Sequence, residues 1–218
     1  MRKSSGLLIT FEGTEGAGKS TLIRAVAESF EASGWECIQT REPGGSPVAE
    51  KIRAVILGEP MDPWTELFLY EAARAEHLAR TVRPALDRGQ TVLCDRFTDS
   101  SLAYQAHARG IPWNEVKKLN RVATRGLKPD LTVWLDIDPA EGLARARDPN
   151  RFEAEGVEFQ TRVREGFRRA RADDPKRWMK IEAHSGSPEA LAAKVVGRIR
   201  RRFDPPAGTK PRKAASRG

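Results

Sequence analysis

One stretch near the start of the chain limits its possible folds more than any other. Residues 7–22 read LLITFEGTEGAGKSTL, an apolar run, a glycine-rich segment and then a helical pattern. Within it, Gly13-Thr14-Glu15-Gly16-Ala17-Gly18-Lys19-Ser20 spells G-x-x-x-x-G-K-S in the strand–loop–helix setting that gives the spacing its meaning. The glycines let successive backbone N–H groups converge on one anion, and the helix opening at Ser20-Thr21 aims its positive end at the same point. Lys19 is placed to reach β- and γ-phosphates, and the Ser20 hydroxyl to hold Mg²⁺. A plain glycine turn would not need Lys-Ser in this register, so a nucleoside triphosphate is the expected ligand.

The rest of the chain repeats the alternation of short apolar strands and longer helices. Strands are expected at 7–11, 35–40, 91–94, 131–137 and, least distinctly, 177–182. Helical patterns fill 21–33, 46–57, 63–88, 100–109, 113–125, 139–147, 157–172 and 187–203, with Pro84 breaking the third. Alternation of this kind predicts an α/β P-loop NTP hydrolase fold: a five-stranded, mostly parallel sheet with helices on both faces. Ligands of such sheets gather at the carboxyl ends of the strands. Gly13, the Arg41-Glu42-Pro43-Gly44-Gly45 turn and Asp95-Arg96 all fall there, which argues for one site.

Charge at first suggests a nucleic-acid partner, since the formal net charge is +8. Its position argues against one. Residues 198–218 hold eight Lys/Arg and one Asp, leaving +1 for the preceding 197 residues. A basic tail at 204–218, rich in Pro, Gly and Ser, is expected to lie outside a folded domain spanning 1–203. Cys37 and Cys94 have no metal spacing and read as buried thiols of a reducing compartment. No apolar run is long enough to cross a membrane, and residues 7–11 are too short for a secretory leader, so a cytoplasmic protein is expected.

Several motifs in order resemble those of the bacterial thymidylate (dTMP) kinases: FEGTEGAGKST, REPGGSPVAEKIR, LYEAARAEH, VLCDRFTDSSLAYQ, KPDLTVWLDIDP and ARARDPNRFE. They span residues 7 to about 170, and REPGG followed by DRF-x-x-SS-x-AYQ is far more specific than the phosphate loop. The resemblance implies a nucleoside-monophosphate-kinase fold, phosphoryl transfer from ATP to dTMP, Mg²⁺ and a homodimer.

It also implies roles for particular residues. Arg96 would act on the phosphates, with Asp95 and Glu42 on the metal side beside Ser20. Tyr70 and Arg74, four apart on one helical face, would stack on and hydrogen-bond the base, with Phe68 the runner-up for stacking. Ser101 and Gln105 would meet the base, Tyr104 would exclude a 2′-hydroxyl, Arg53 would hold the monophosphate and Glu15 would accept from the 3′-hydroxyl. The loop positions 14–17 carry no arginine, so the cation compensating the transferring group is expected in an arginine-bearing lid at about 145–156. Arg151 is the first candidate there and Arg147 the second, with Arg145 on ATP. His77, His107 and His184 have neither metal spacing nor a neighbouring nucleophile and read as surface or structural.

Overall fold

Side-chain alternation along the strands decides how the layers stack. The structure, a computed structural model, describes residues 6–145 and 151–203. Strands β1 (Leu8–Glu12), β2 (Cys37–Arg41), β3 (Thr91–Asp95), β4 (Leu131–Asp136) and β5 (Trp178–Glu182) form one sheet in the order β2-β3-β1-β4-β5. Every pairing is parallel. The helices are α1 (Lys19–Ala32), α2 (Pro47–Gly58), α3 (Pro63–His77), α4 (Arg83–Asp87), α5 (Thr98–Ser101), α6 (Trp113–Thr124), α7 (Pro139–Arg145), α8 (Arg151–Ala154), α9 (Gly156–Asp173) and α10 (Pro188–Arg202).

Odd-numbered strand residues Ile9, Phe11, Leu93, Val133 and Ile181 face one side and bury against α1 and α10. Even-numbered residues face the other. There Leu8, Val92 and Cys94 pack under Val82, Ala85 and Leu86, while Trp134 and Trp178 pack against Phe159 and Phe167 of α9. Burial on both faces is why the central strands β1, β3 and β4 read as largely apolar runs.

Helix starts follow the capping residues. Ser46 accepts from the Ala49 N–H at α2, and Asp62 accepts from Trp64 and Thr65 at α3. The break expected at Pro84 takes the form of a π-helical turn, Leu78–Val82, after which α4 begins with Pro84 in its first turn. A second π-helical segment, Leu102–Ala108, replaces the α-helix expected there. It presses on α9 at Gly166, where a Cβ would stand 2.6 Å from the Ala103 Cα. Arg147, within the expected lid, and the tail at 204–218 lie outside the described residues.

Sheet order reverses about β1, with β3 on one side and β4 on the other. The crevice beyond their carboxyl ends is where such a sheet accepts ligands. Asp95 ends β3 in register with Phe11 of β1, so the phosphate loop and the Asp95-Arg96 pair emerge side by side.

Candidate active site

The loop after β1 opens a cleft of about 350 Å³, lined by residues 15–21 together with Arg41, Glu42, Arg53, Asp95, Arg96 and Arg145. Thr14 is buried behind that lining. Gly18 precedes α1 at φ 87°, and no side chain caps the helix there, so its first-turn N–H groups are left for an anion. Lys19 is buried and its Nζ donates to the carbonyls of Gly13 (3.2 Å) and Thr14 (2.9 Å). Burial and the Arg96 charge push its amine below the ordinary value, against the pull of Glu15 and Asp95. A triphosphate would supply further opposing charge.

Ser20 Oγ donates to Asp95 Oδ2 at 3.2 Å, while Asp95 Oδ1 is buried with no hydrogen-bond partner. A hydroxyl and an unsatisfied carboxylate oxygen, both at the phosphate cleft, are a donor set that suits Mg²⁺.

Arg96 stands where this cleft meets a second cavity and lines both. Its φ of 67° is unusual for a residue with a side chain. Its guanidinium donates to Gly13 O (3.0 Å), Ser100 Oγ (3.3 Å) and Glu15 Oε1 (2.5 Å), and lies 4.9 Å above the Tyr104 ring. Burial tends to raise the Glu15 carboxyl, but Arg96 and Lys19 outweigh it and hold the group below the usual carboxylate range. The cation beside it thus offsets the repulsion expected from an acid inside a phosphate loop.

The second cavity is bounded by Glu15, Tyr70, Phe97, Tyr104, Gln105 and Phe152, with Arg74 at its floor. It holds about 20 Å³, room for a water molecule rather than a base. Tyr104 Oη donates to Glu15 at 3.1 Å, and the Phe152 ring lies edge-on to Tyr104 and Tyr70 at 5.8 and 6.4 Å. Phe68 is exposed and packs on Trp64, away from the cavity.

Four of the expected site residues are engaged by protein partners in this structure. Arg74, expected at the base, lines the second cavity with its guanidinium held by the protein. Its Nε donates to Glu42, its Nη1 to Glu71 and Asn120, and its Nη2 to the Phe97 carbonyl and Ser101, which engages all five N–H groups. A guanidinium buried this deeply needs that compensation. Ser101, expected on the base, therefore lies behind Arg74, and Ser100 lines the cavity instead. Glu42, expected on the metal side, lines the phosphate cleft and the second cavity alike, and its oxygens accept from Arg74 (2.7 Å) and His77 (3.0 Å). Arg151, expected over the transferring phosphate, donates here to Glu66 (2.6 Å) and the Ile56 carbonyl (2.5 Å) beside the second cavity. Arg145 does line the phosphate cleft, bonded to Glu141 and His184. Arg53 sits at the same cleft with Nη1 on the Pro43 carbonyl.

Sequence reasoning missed Phe97, Phe152, Asn120 and Glu66. The first two carry no periodic signal that separates a pocket wall from a core. Asn120 lies 46 residues from Arg74, too far for any local pattern to pair them. His77, read as surface or structural, is buried and structural, held between Glu42 and Thr40.

Two cavities meeting at one arginine are what group transfer between two bound molecules requires, and with the phosphate loop they place the chain among the P-loop phosphotransferases. The family model described as thymidylate kinase matches residues 11–195. The chain belongs to the thymidylate kinase family. It is 46% identical over 198 residues to a thymidylate kinase of Synechococcus sp. (strain JA-3-3Ab), covering 90% of this chain and 97% of that one. It is 50% identical over 187 residues to that of Bacillus pumilus (strain SAFR-032), covering 82% and 88%. The crystal structure of thymidylate kinase from Ehrlichia chaffeensis matches with a TM-score of 0.76 at 30% identity, covering 89% of this chain and 99% of that one.

Proposed function

We propose that the cleft at the phosphate loop takes ATP and the cavity beside Tyr104 takes dTMP. The reaction is that of the family, transfer of the γ-phosphoryl group of ATP to dTMP to give dTDP and ADP for dTTP synthesis. The observation that carries this reading is that Arg96 and Glu15 line both cavities. A group handed from one ligand to the other passes that point.

Catalysis in such a site is positioning and charge compensation. Loop N–H groups and Lys19 hold the donor phosphates, and Arg96 with Arg53 faces the acceptor phosphate. Tyr70 covers the base, Gln105 approaches its edge beside the cavity face of the protein-held Arg74, Tyr104 fills the space a 2′-hydroxyl would need, and Glu15 meets the 3′-hydroxyl. Ser20 and Asp95 would hold Mg²⁺, which would supply charge neutralisation at the phosphates. Arg145 supports ATP, and Arg147 is the candidate for the lid's catalytic cation.

Residues 1–203 form the kinase domain and 204–218 a basic tail outside it. A homodimer is supported by exposed Val55, Phe68 and Val122 on the neighbouring helices α2, α3 and α6. Among the described residues no helix is long and apolar enough to cross a membrane, in keeping with a cytoplasmic enzyme. ADP release should be measured across the common nucleoside monophosphates. Turnover that depends on dTMP supports the reading, and equal NTP hydrolysis without any monophosphate overturns it.

A further inference from the structure

Glu66 of α3 is fully buried, yet it lines neither cavity. Its Oε1 accepts from Gln105 Nε2 at 2.8 Å, a residue that lines the second cavity. Its Oε2 accepts from Arg151 Nη2 at 2.6 Å and from Arg109 Nη2 at 3.3 Å. Arg109 reaches on to Glu155 at 2.6 Å. One carboxylate thus joins the π-helical segment carrying Tyr104 and Gln105 to α8, the short helix that opens with Arg151 and Phe152. The Arg151 guanidinium lies 4.6 Å from the Phe152 ring centre, and Phe152 closes the cavity against Tyr70 and Tyr104.

A helix of four residues has little stability of its own, so outside contacts decide where it sits. For α8 those contacts include a buried charge pair with Glu66 and a bond to the Ile56 carbonyl. Two arginines against one desolvated carboxylate leave Glu66 no reason to be there on packing grounds alone, because a buried acid is costly unless its partners need it. Leucine at this position would fill the space without holding three donors.

We propose that Glu66 is a positioning residue of the acceptor site, holding Gln105 at the cavity wall and, through Arg151, the helix whose Phe152 covers the acceptor. The proposal rests on reading that cavity as the dTMP site. Arg151 then acts on the acceptor side, not on the transferring phosphoryl group. Occupancy of the cavity and placement of α8 are linked through one carboxylate.

The test uses the full chain with Glu66→Gln, Arg151→Gln and the double variant. Readouts are kcat, KM for dTMP, equilibrium ATP binding and the thermal midpoint. Glutamine keeps the size of Glu66 but turns one acceptor oxygen into a donor facing arginine. Glu66→Gln should raise KM for dTMP on the order of 10-fold and lower kcat, as expected for misplacing a wall by a fraction of an ångström. ATP affinity should stay within about 2-fold, since the phosphate loop is untouched. Arg151→Gln should do the same, and the double variant should be no worse than the worse single one. Wild-type constants in a folded Glu66→Gln enzyme overturn the proposal, as do fully multiplicative effects or an equal loss of ATP affinity. Should Glu66→Gln fail to fold, Arg151→Gln decides: a fall in kcat with unchanged KM for dTMP puts Arg151 on the phosphoryl group and the proposal falls. A wild-type enzyme that ignores dTMP would instead overturn the assignment of the cavity.

Discussion

Gly142 offers the sharpest test of how the phosphate loop is held. It lies inside α7, with no positive φ, so helix propensity alone predicts that Gly142→Ala stabilises the protein by up to about 1 kcal/mol. The tertiary structure predicts the reverse. A Cβ at Gly142 would stand 2.4 Å from the Glu15 carbonyl oxygen, and one at Gly16 would stand 1.8 Å from the Gly142 carbonyl oxygen. Loop and helix touch backbone to backbone, with no flexible side chain to yield. Ordinary contact begins at 3.4 Å, so one of them must retreat by about 1 Å. Overpacking costs roughly 1–3 kcal/mol, which exceeds the propensity gain. The larger effect falls on function, because a ~1 Å displacement of a catalytic loop can cost about 10²-fold, or roughly 3 kcal/mol of barrier. Gly142→Ala should therefore lower kcat by about that factor and weaken equilibrium ATP binding, with a thermal midpoint lower by about 2–4 °C. Gly16→Ala is a poorer probe, since φ of 69° adds backbone strain. A Gly142→Ala enzyme with wild-type kcat, ATP affinity and stability refutes the close-packing argument.

Three other outcomes follow from the site. Lys19→Ala should lower kcat by roughly 10³-fold or more with the fold kept by circular dichroism, because it removes a cation from the phosphate loop; near-normal turnover in a folded variant would remove Lys19 from the mechanism. Tyr104→Ala should narrow the preference for dTMP over its ribo counterpart by about 10-fold, read as the ratio of kcat/KM values, and an unchanged ratio clears Tyr104 of the gating role. Glu12 accepts from the Phe97 N–H and Ser100 Oγ in full burial, and that burial, with the Asp99 charge, pushes its carboxyl from 4.5 up to about 8. Between those values the folded state keeps a proton that the unfolded chain has released, so this contribution is complete below pH 4.5 and is lost as pH rises through about 8. Glu12→Gln, a neutral mimic, should flatten the loss of urea stability between pH 6 and 9; equal slopes in the two proteins would show that Glu12 is ionised throughout.

Much of the fold was legible because it is written locally. Capping by Ser46 and Asp62, the glycine stops and the apolar strand runs depend on neighbours within a few residues, and the five strands fall where those signals put them. The π-helical turn at Leu102–Ala108 was not legible. Its hydrogen bonds are one residue wider than an α-helix, and nothing in the apolar spacing marks that choice. In the site, Tyr70, Tyr104 and Gln105 line one cavity, as the family resemblance implied, whereas Ser101 bonds to Arg74 and lies outside that lining.

The sequence by itself determined the phosphate loop, the order of strands and helices, and the end of the sheet where ligands gather. These are properties of short spacings, backbone conformation and chain direction. Only the tertiary structure decided which charges meet. Arg74 closes on Glu42, 32 residues away, and Arg151 closes on Glu66, 85 residues away. Buried ions must find opposite partners wherever packing delivers them, and packing brings together residues that no local period relates. That requirement pairs Glu42 with Arg74 where the two cavities meet, and Arg151 with Glu66 beside the second.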